Sequence, residues 1–147
     1  MISINDSPTL CYCSSLRKST RIITKIYDQL LATSGLKVTQ YALMVNLNRL
    51  EPATINQLAD VMILERTTLV RNLNILIKQG LVEMVIKHTS KAHIIQLTAI
   101  GKIKVEETKP LWQSAQEKVA KILSDEEQSF IHLLLTKLQK SELLIDV

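Results

Sequence analysis

Aromatic side chains are scarce: three tyrosines, one tryptophan and one phenylalanine in 147 residues. So few rings cannot tile a surface for unstacked bases, which argues against single-stranded nucleic acid or RNA as the partner. Glycine and proline number three each. There is no Gly-rich phosphate loop, no metal-spaced His/Glu pair on a helix and no nucleophile-elbow pattern, so no catalytic residue is proposed and an enzyme is not expected. No apolar run approaches the ~18 residues that span a bilayer. The opening MISINDSPT has neither the basic nor the apolar segment of a secretory signal. The expectation is a cytoplasmic protein with no membrane partner. His88, His93 and His132 show no ligand spacing with Cys11 and Cys13, so neither a metal nor another cofactor is expected.

What is present is ordinary core material. Apolar residues make up 46% of the chain, enough for one core plus a dimerisation surface and too little for two independent domains. No repeat or flexible linker interrupts it, so residues 1–147 read as one unit. The net charge of +4 is modest but unevenly placed. From Arg66 to Lys104, seven basic residues stand against one acidic residue, Glu83, while the rest holds eleven basic and thirteen acidic residues. That local excess suits phosphate binding by counterion release, and double-stranded DNA is the expected partner.

The centre of the charged region is TINQLADVMILERTTLVRNLNILIKQG, Thr54 to Gly80. At about 100° per residue, Leu69, Leu73, Leu76 and Ile77 gather on one side of a helix, with Thr67, Arg71, Asn74 and Lys78 opposite. Just upstream, Ile55, Leu58, Ala59 and Met62 have helical spacing of their own, and Thr54 with Gln57 forms a capping box. The intervening MILE has no room for a strand. The two helices therefore meet at a sharp angle, as in a helix-turn-helix whose second member reads a groove. After Gly80, a helix stop, LVEMVIK and AHIIQLT flank the polar turn HTSK. A helix-turn-helix followed at once by a hairpin is the order of a winged helix.

Elsewhere the pattern is helical. Ser7 as N-cap with Pro8 behind it starts a long helix reaching about Ala32, with Cys13, Leu16, Ile23, Tyr27, Leu30 and Leu31 as its apolar stripe. A second runs from about Thr39 to Leu50 and stops at Glu51-Pro52. Thr98 caps a helix from Ala99 toward Leu123, in which Gly101 permits close backbone approach and Pro110 predicts a kink. Ser124 with Glu127 caps a last helix carrying Phe130, Leu133, Leu134, Leu138 and Leu144 on one side. The expected fold is mostly α with a small β-hairpin wing. A winged helix at about 37–98 lies between dimerisation helices at about 7–33 and 99–147, which would set two reading helices on half-sites one DNA turn apart.

With these segments in place the chain resembles the MarR family of bacterial transcriptional regulators over nearly its whole length. LRKSTRIITKIYDQLLATSGLKVTQYALM is similar to the family's first two helices, INQLADVMILERTTLVRNLNILIKQGLV to its helix-turn-helix, and QLTAIGK to the exit from the wing. The resemblance implies a homodimer on pseudo-palindromic DNA, usually a repressor, released by a small phenolic ligand or by thiol oxidation. Where the family's wing carries Asp-x-Arg, this chain has Thr89 and Lys91. Lys91 keeps the charge without the planar fork that Arg would insert into a minor groove.

The candidate DNA-contacting residues are Thr67, Thr68, Arg71 and Asn74 for bases or adjacent phosphates, with Arg71 as guanine reader, and Lys78, Lys87 and Lys91 for phosphates. The bland alternative for that face is a solvated helix surface. A winged helix serving as a protein-interaction module, its basic face meeting an acidic partner, is the competing function. Cys13 and Cys11, in the first turns of a helix whose dipole favours thiolates, are candidate redox sensors. The resemblance matches Cys13 and Tyr27 to the sensing cysteine and one supporting tyrosine of peroxide-sensing members, and places Arg17 and Val38 where other supporting tyrosines stand. The alternative for Cys13 is a small core residue. Trp112, Leu111 and Met44 are candidates to line a ligand pocket, since family members hold aromatic acids between the dimer helices and the reading unit; a lone Trp is otherwise core.

Overall fold

The computed structural model describes residues 11–86, 93–141 and 145. Its first helix, α1 (Tyr12–Leu31), begins where the Cys11 thiol accepts the amide N–H of Ser14 at 3.4 Å. The expected start at Ser7-Pro8 lies outside the described residues. Only the C-terminal part of α1 meets the core. Tyr27 and Leu31 are buried and Leu30 half-buried, whereas Cys13, Leu16 and Ile23, expected on the same buried stripe, are exposed. A single turn of tighter helix (Ala32–Ser34) ends at Gly35, whose φ of 78° suits glycine.

Helix α2 (Val38–Leu50) starts one residue before the expected Thr39 because its first amide is capped from outside: Asp28 on α1 accepts the Val38 N–H at 2.8 Å. Tyr41, Leu43, Met44 and Leu47 of α2 are buried, making it the central helix of the core. A two-residue strand, β1 (Ala53–Thr54), follows, which hydrophobic patterning did not mark because two residues carry no alternation. It leads directly into α3 (Ile55–Met62). The Thr54 capping box is reciprocal: Thr54 Oγ1 accepts the Gln57 N–H at 3.2 Å, and Gln57 Oε1 accepts the Thr54 N–H at 2.9 Å.

The turn to α4 (Arg66–Lys78) is made at Ile63, in the left-handed region with φ 52° and ψ 48°. A β-branched residue there carries backbone strain, set against amide bonds from Ile63 to Asp60 and from Leu64 to Ala59 that close α3. At the other end of α4, Gly80 takes φ 72° and the Leu81 N–H reaches back to the Leu76 carbonyl at 3.0 Å. Strands β2 (Val82–Ile86) and β3 (His93–Leu97) form the hairpin, in the register Val82 to Leu97 and Ile86 to His93. β1 pairs with the other side of β3, so the antiparallel sheet runs β1-β3-β2 with β2 at its edge.

Helix α5 (Ala99–Ala120) is clamped to the end of α4 by one hydroxyl. Thr98 Oγ1 donates to the Gly80 carbonyl at 2.7 Å and accepts the Gly101 N–H at 3.0 Å. Gly101 is required here: a Cβ would overlap the Leu81 carbonyl oxygen and sit 3.0 Å from its carbon. Pro110 does not end α5, which continues to Ala120, three residues short of Leu123. It packs along α1, where the Tyr27 hydroxyl donates to Gln116 Oε1. Helix α6 (Asp125–Lys140) opens with the expected Ser124–Glu127 capping box, yet none of its residues is buried. Leu144 of its expected stripe lies outside the described residues. Among the described residues no helix is long and apolar enough to cross a membrane.

Candidate nucleic-acid interface

Helix α4 is fixed by its apolar side. Leu69, Leu73 and Leu76 are each no more than 1% exposed, and three such leucines, one to two turns apart, leave the helix no freedom to rotate. Burial of each stabilises by about 1.5–3 kcal/mol. The opposite side is thereby set: Thr67, Arg71, Asn74 and Lys78 are exposed and Thr68 is half-buried. Arg66 joins them at the N-terminus, and the helix contains no acidic residue. The face has no ion pair among the described residues. Its cations are therefore available to an anionic surface. Lys87 and Lys91, the expected wing contacts, lie outside the described residues, as does Thr89.

The platform under this face is held by polar ties between elements. Glu51, at the end of α2, accepts the Leu97 N–H of β3 at 2.6 Å and pairs with Lys102 of α5 at 3.3 Å. Gln96 and Glu83 bridge the two hairpin strands at 2.7 Å. The hairpin is thus tied to α5 as well as to α4, which orients the wing relative to the reading helix.

The sensor candidates are placed differently from one another. Cys11 is the N-cap of α1, with extended backbone, and Cys13 follows in the first turn; both are exposed. Residues two apart on a helix point about 200° apart, but Cys11 has extended backbone, so that separation does not hold for this pair. Tyr27 lies fourteen residues on, about 21 Å along the helix at 1.5 Å per residue, and its hydroxyl is engaged by Gln116. Within one chain it does not reach Cys13. Burial raises the Tyr27 pKa.

A groove of about 200 Å³ runs between α2 and α5, lined by Tyr41, Val45, Asn48, Arg49, Val105, Glu106, Lys109 and Trp112. Tyr41 and Trp112 pack with ring centroids 6.3 Å apart and planes tilted by 39°. The Tyr41 pKa is raised, by burial first and by Glu106 second, with Arg49 opposing. Of the three residues expected around a pocket, Trp112 lines this groove. Met44 is wholly buried and Leu111 half-buried against the core. Each is adjacent in sequence to a lining residue, and one residue is about 100° of helix, which turns both away.

Sequence patterning did not single out three features near the reading face. Asp28 positions the start of α2, Glu51 ties the wing, and Ile75 emerges on the polar side of α4 at 43% exposure. The first two depend on partners ten and forty-six residues away. Ile75 could have been found on the same helical wheel, four residues after Arg71.

The MarR family model matches residues 34–85, the segment from the start of α2 through the helix-turn-helix into the hairpin. No curated protein matches the chain. Among solved structures, the transcriptional regulator MosR of M. tuberculosis in complex with DNA is 28% identical, with a TM-score of 0.83, covering 94% of this chain and all of its own. The S. aureus MepR–DNA complex is 20% identical at a TM-score of 0.78, covering 90% of this chain and 99% of its own. Wild-type MarR of E. coli is 19% identical at 0.70, covering 88% and 98%. The last two show the shared fold alone. The family-model match across the helix-turn-helix, the MosR likeness over nearly the full length, and a winged helix between terminal helices together support a MarR-family winged-helix transcriptional regulator.

Proposed function

We propose that this regulator is a homodimeric, sequence-specific double-stranded DNA-binding repressor that reads a pseudo-palindromic operator with α4. The observation that carries the reading is the division of α4 into three wholly buried leucines and an exposed, acid-free face of Thr67, Arg71, Asn74 and Lys78. In this reading Thr67, Thr68, Arg71 and Asn74 contact bases or the phosphates beside them. Arg71 takes the O6 and N7 of a guanine, the bidentate pairing its geometry favours. Lys78, with Lys87 and Lys91 of the wing, contacts phosphates. The homodimer is supported by α6, whose Phe130, Leu133, Leu134 and Leu138 are all exposed in a single chain. The DNA complex of the MosR relative supports duplex DNA as the partner.

Release follows one of two signals. A peroxide would convert the Cys13 thiolate to a sulfenic acid with loss of water or alcohol, and Cys11 of the partner subunit would displace a second water to form a disulfide. The exposure of both thiols supports the access this needs. Alternatively, a small aromatic acid would occupy the groove beside Trp112, where Arg49 and Lys109 supply cationic partners. The test is a gel shift with the DNA flanking the protein's own gene, against scrambled competitor, before and after mild peroxide and again after dithiothreitol. Selective binding is expected, weakened by peroxide in the wild type and unaffected in Cys13→Ser, with Cys11→Ser changing mainly the reversibility. Equal loss to scrambled DNA would overturn sequence reading and favour a protein-interaction module. Selective binding untouched by peroxide would leave the groove ligand as the signal.

A further inference from the structure

Ile75 is the one large apolar side chain of α4 that stands exposed, at 43%. It sits four residues after Arg71, so it projects about 40° from Arg71 around the helix and about 6 Å further along it. The same rotation is enforced on both by Leu69, Leu73 and Leu76 beneath them. The hollow that Ile75 borders, of about 150 Å³ toward the start of α2, is otherwise lined by Lys37, Thr39, Gln40 and Asn72. Among the described residues, Ile75 is the only apolar side chain in its lining. On the other flank is Asn74, also exposed. The side chain is an apolar point beside a polar face, oriented by the buried leucines beneath it and left 43% exposed.

The floor of a DNA major groove offers one apolar group, the C5-methyl of thymine; every other base-edge feature there is a hydrogen-bond donor or acceptor. We propose that Ile75 is a specificity-determining residue that packs on a thymine methyl in each operator half-site. The thymine lies within two base pairs of the guanine taken by Arg71, since about 6 Å of helix spans fewer than two steps of about 3.4 Å. This rests on the proposed role of α4 as the reading helix.

The test replaces each thymine of the operator duplex, one symmetric pair at a time, by deoxyuridine, which removes the methyl and leaves every hydrogen bond. Wild type should lose about fourfold in affinity per half-site at one position and little elsewhere, the factor that burial of a methyl-sized group is worth. Ile75→Ala should bind the thymine operator more weakly by a similar factor and no longer distinguish uracil there. Ile75→Val, which keeps the branched apolar carbon, should retain most of the distinction. Thermal melts of the variants should match wild type, since the side chain is exposed. If wild type selects its operator over scrambled DNA yet no deoxyuridine substitution weakens it, or if Ile75→Ala keeps the full distinction, Ile75 reads no methyl. If wild type does not select the operator at all, the reading role of α4 fails and this inference with it.

Discussion

Helices α4 and α6 are both amphipathic, yet the chain treats them oppositely. In α4 the apolar side is spent inside the subunit: three leucines vanish into the core and the polar side is left outward. In α6 the sixteen residues include none that is buried, and Phe130 and Leu133 are more than 60% exposed. A stripe of that kind marks a surface awaiting cover. Amphipathicity states that a face must be covered and is silent about what covers it. The satisfied helix has its polar side free for a ligand, while the unsatisfied one is suited to joining a second subunit.

Deleting residues from Ser124 onward tests the contrast most severely. Without α6 the chain should sediment as monomer or aggregate, and operator affinity should fall at least about a hundredfold as the two half-site contacts cease to be coupled. A soluble, monodisperse dimer of the truncated chain would take α6 out of the interface. The joint between the two regions is Gly101, where α5 meets the carbonyl of Leu81. Gly101→Ala should cost about 1–3 kcal/mol of stability by thermal or urea unfolding, with the hairpin pushed from α5. An unchanged melt would mean that the joint yields freely.

On the α4 side, Arg71→Ala should cost about 1–3 kcal/mol of discrimination between operator and random DNA. If that ratio survives, the reading face is centred elsewhere. Lys78→Ala should instead weaken binding to all sequences alike and lower the salt slope by about one. Smallest is the alkaline effect at Tyr27. Its pKa is raised in the folded chain, so the stability it contributes is complete below the ordinary tyrosine value of 10.0 and is lost as pH rises through the raised value. Tyr27→Phe should therefore flatten part of the fall in melting temperature above that pH; an identical fall in both proteins would remove Tyr27 as its source.

The features legible in the sequence share a short range. The Thr54–Gln57 and Ser124–Glu127 boxes, the Gly80 stop and the Thr98 cap each involve residues two or three apart, and each is found where expected. The tight approach at Gly101 was also readable, because a glycine in the first turn of a helix has few other uses. Strand β1 was not: its two residues pair with β3 some forty residues later. The buried stripe expected along α1 holds only in its last turns, because the core reaches only that far. Periodicity records that a face is apolar and carries no information on how much neighbouring structure there is to cover it.

By itself the sequence determined the helices and the hairpin, their order and the polar composition of α4, since helical period, caps and stops are properties of neighbouring residues. It also placed the excess of positive charge on the winged-helix segment. Tertiary structure alone decided which apolar faces are used up and which remain: α4 satisfied, α6 open, Cys13 exposed and Met44 turned into the core. Those outcomes depend on the packing of residues far apart in the chain, because whether a side chain is buried is set by what stands opposite it.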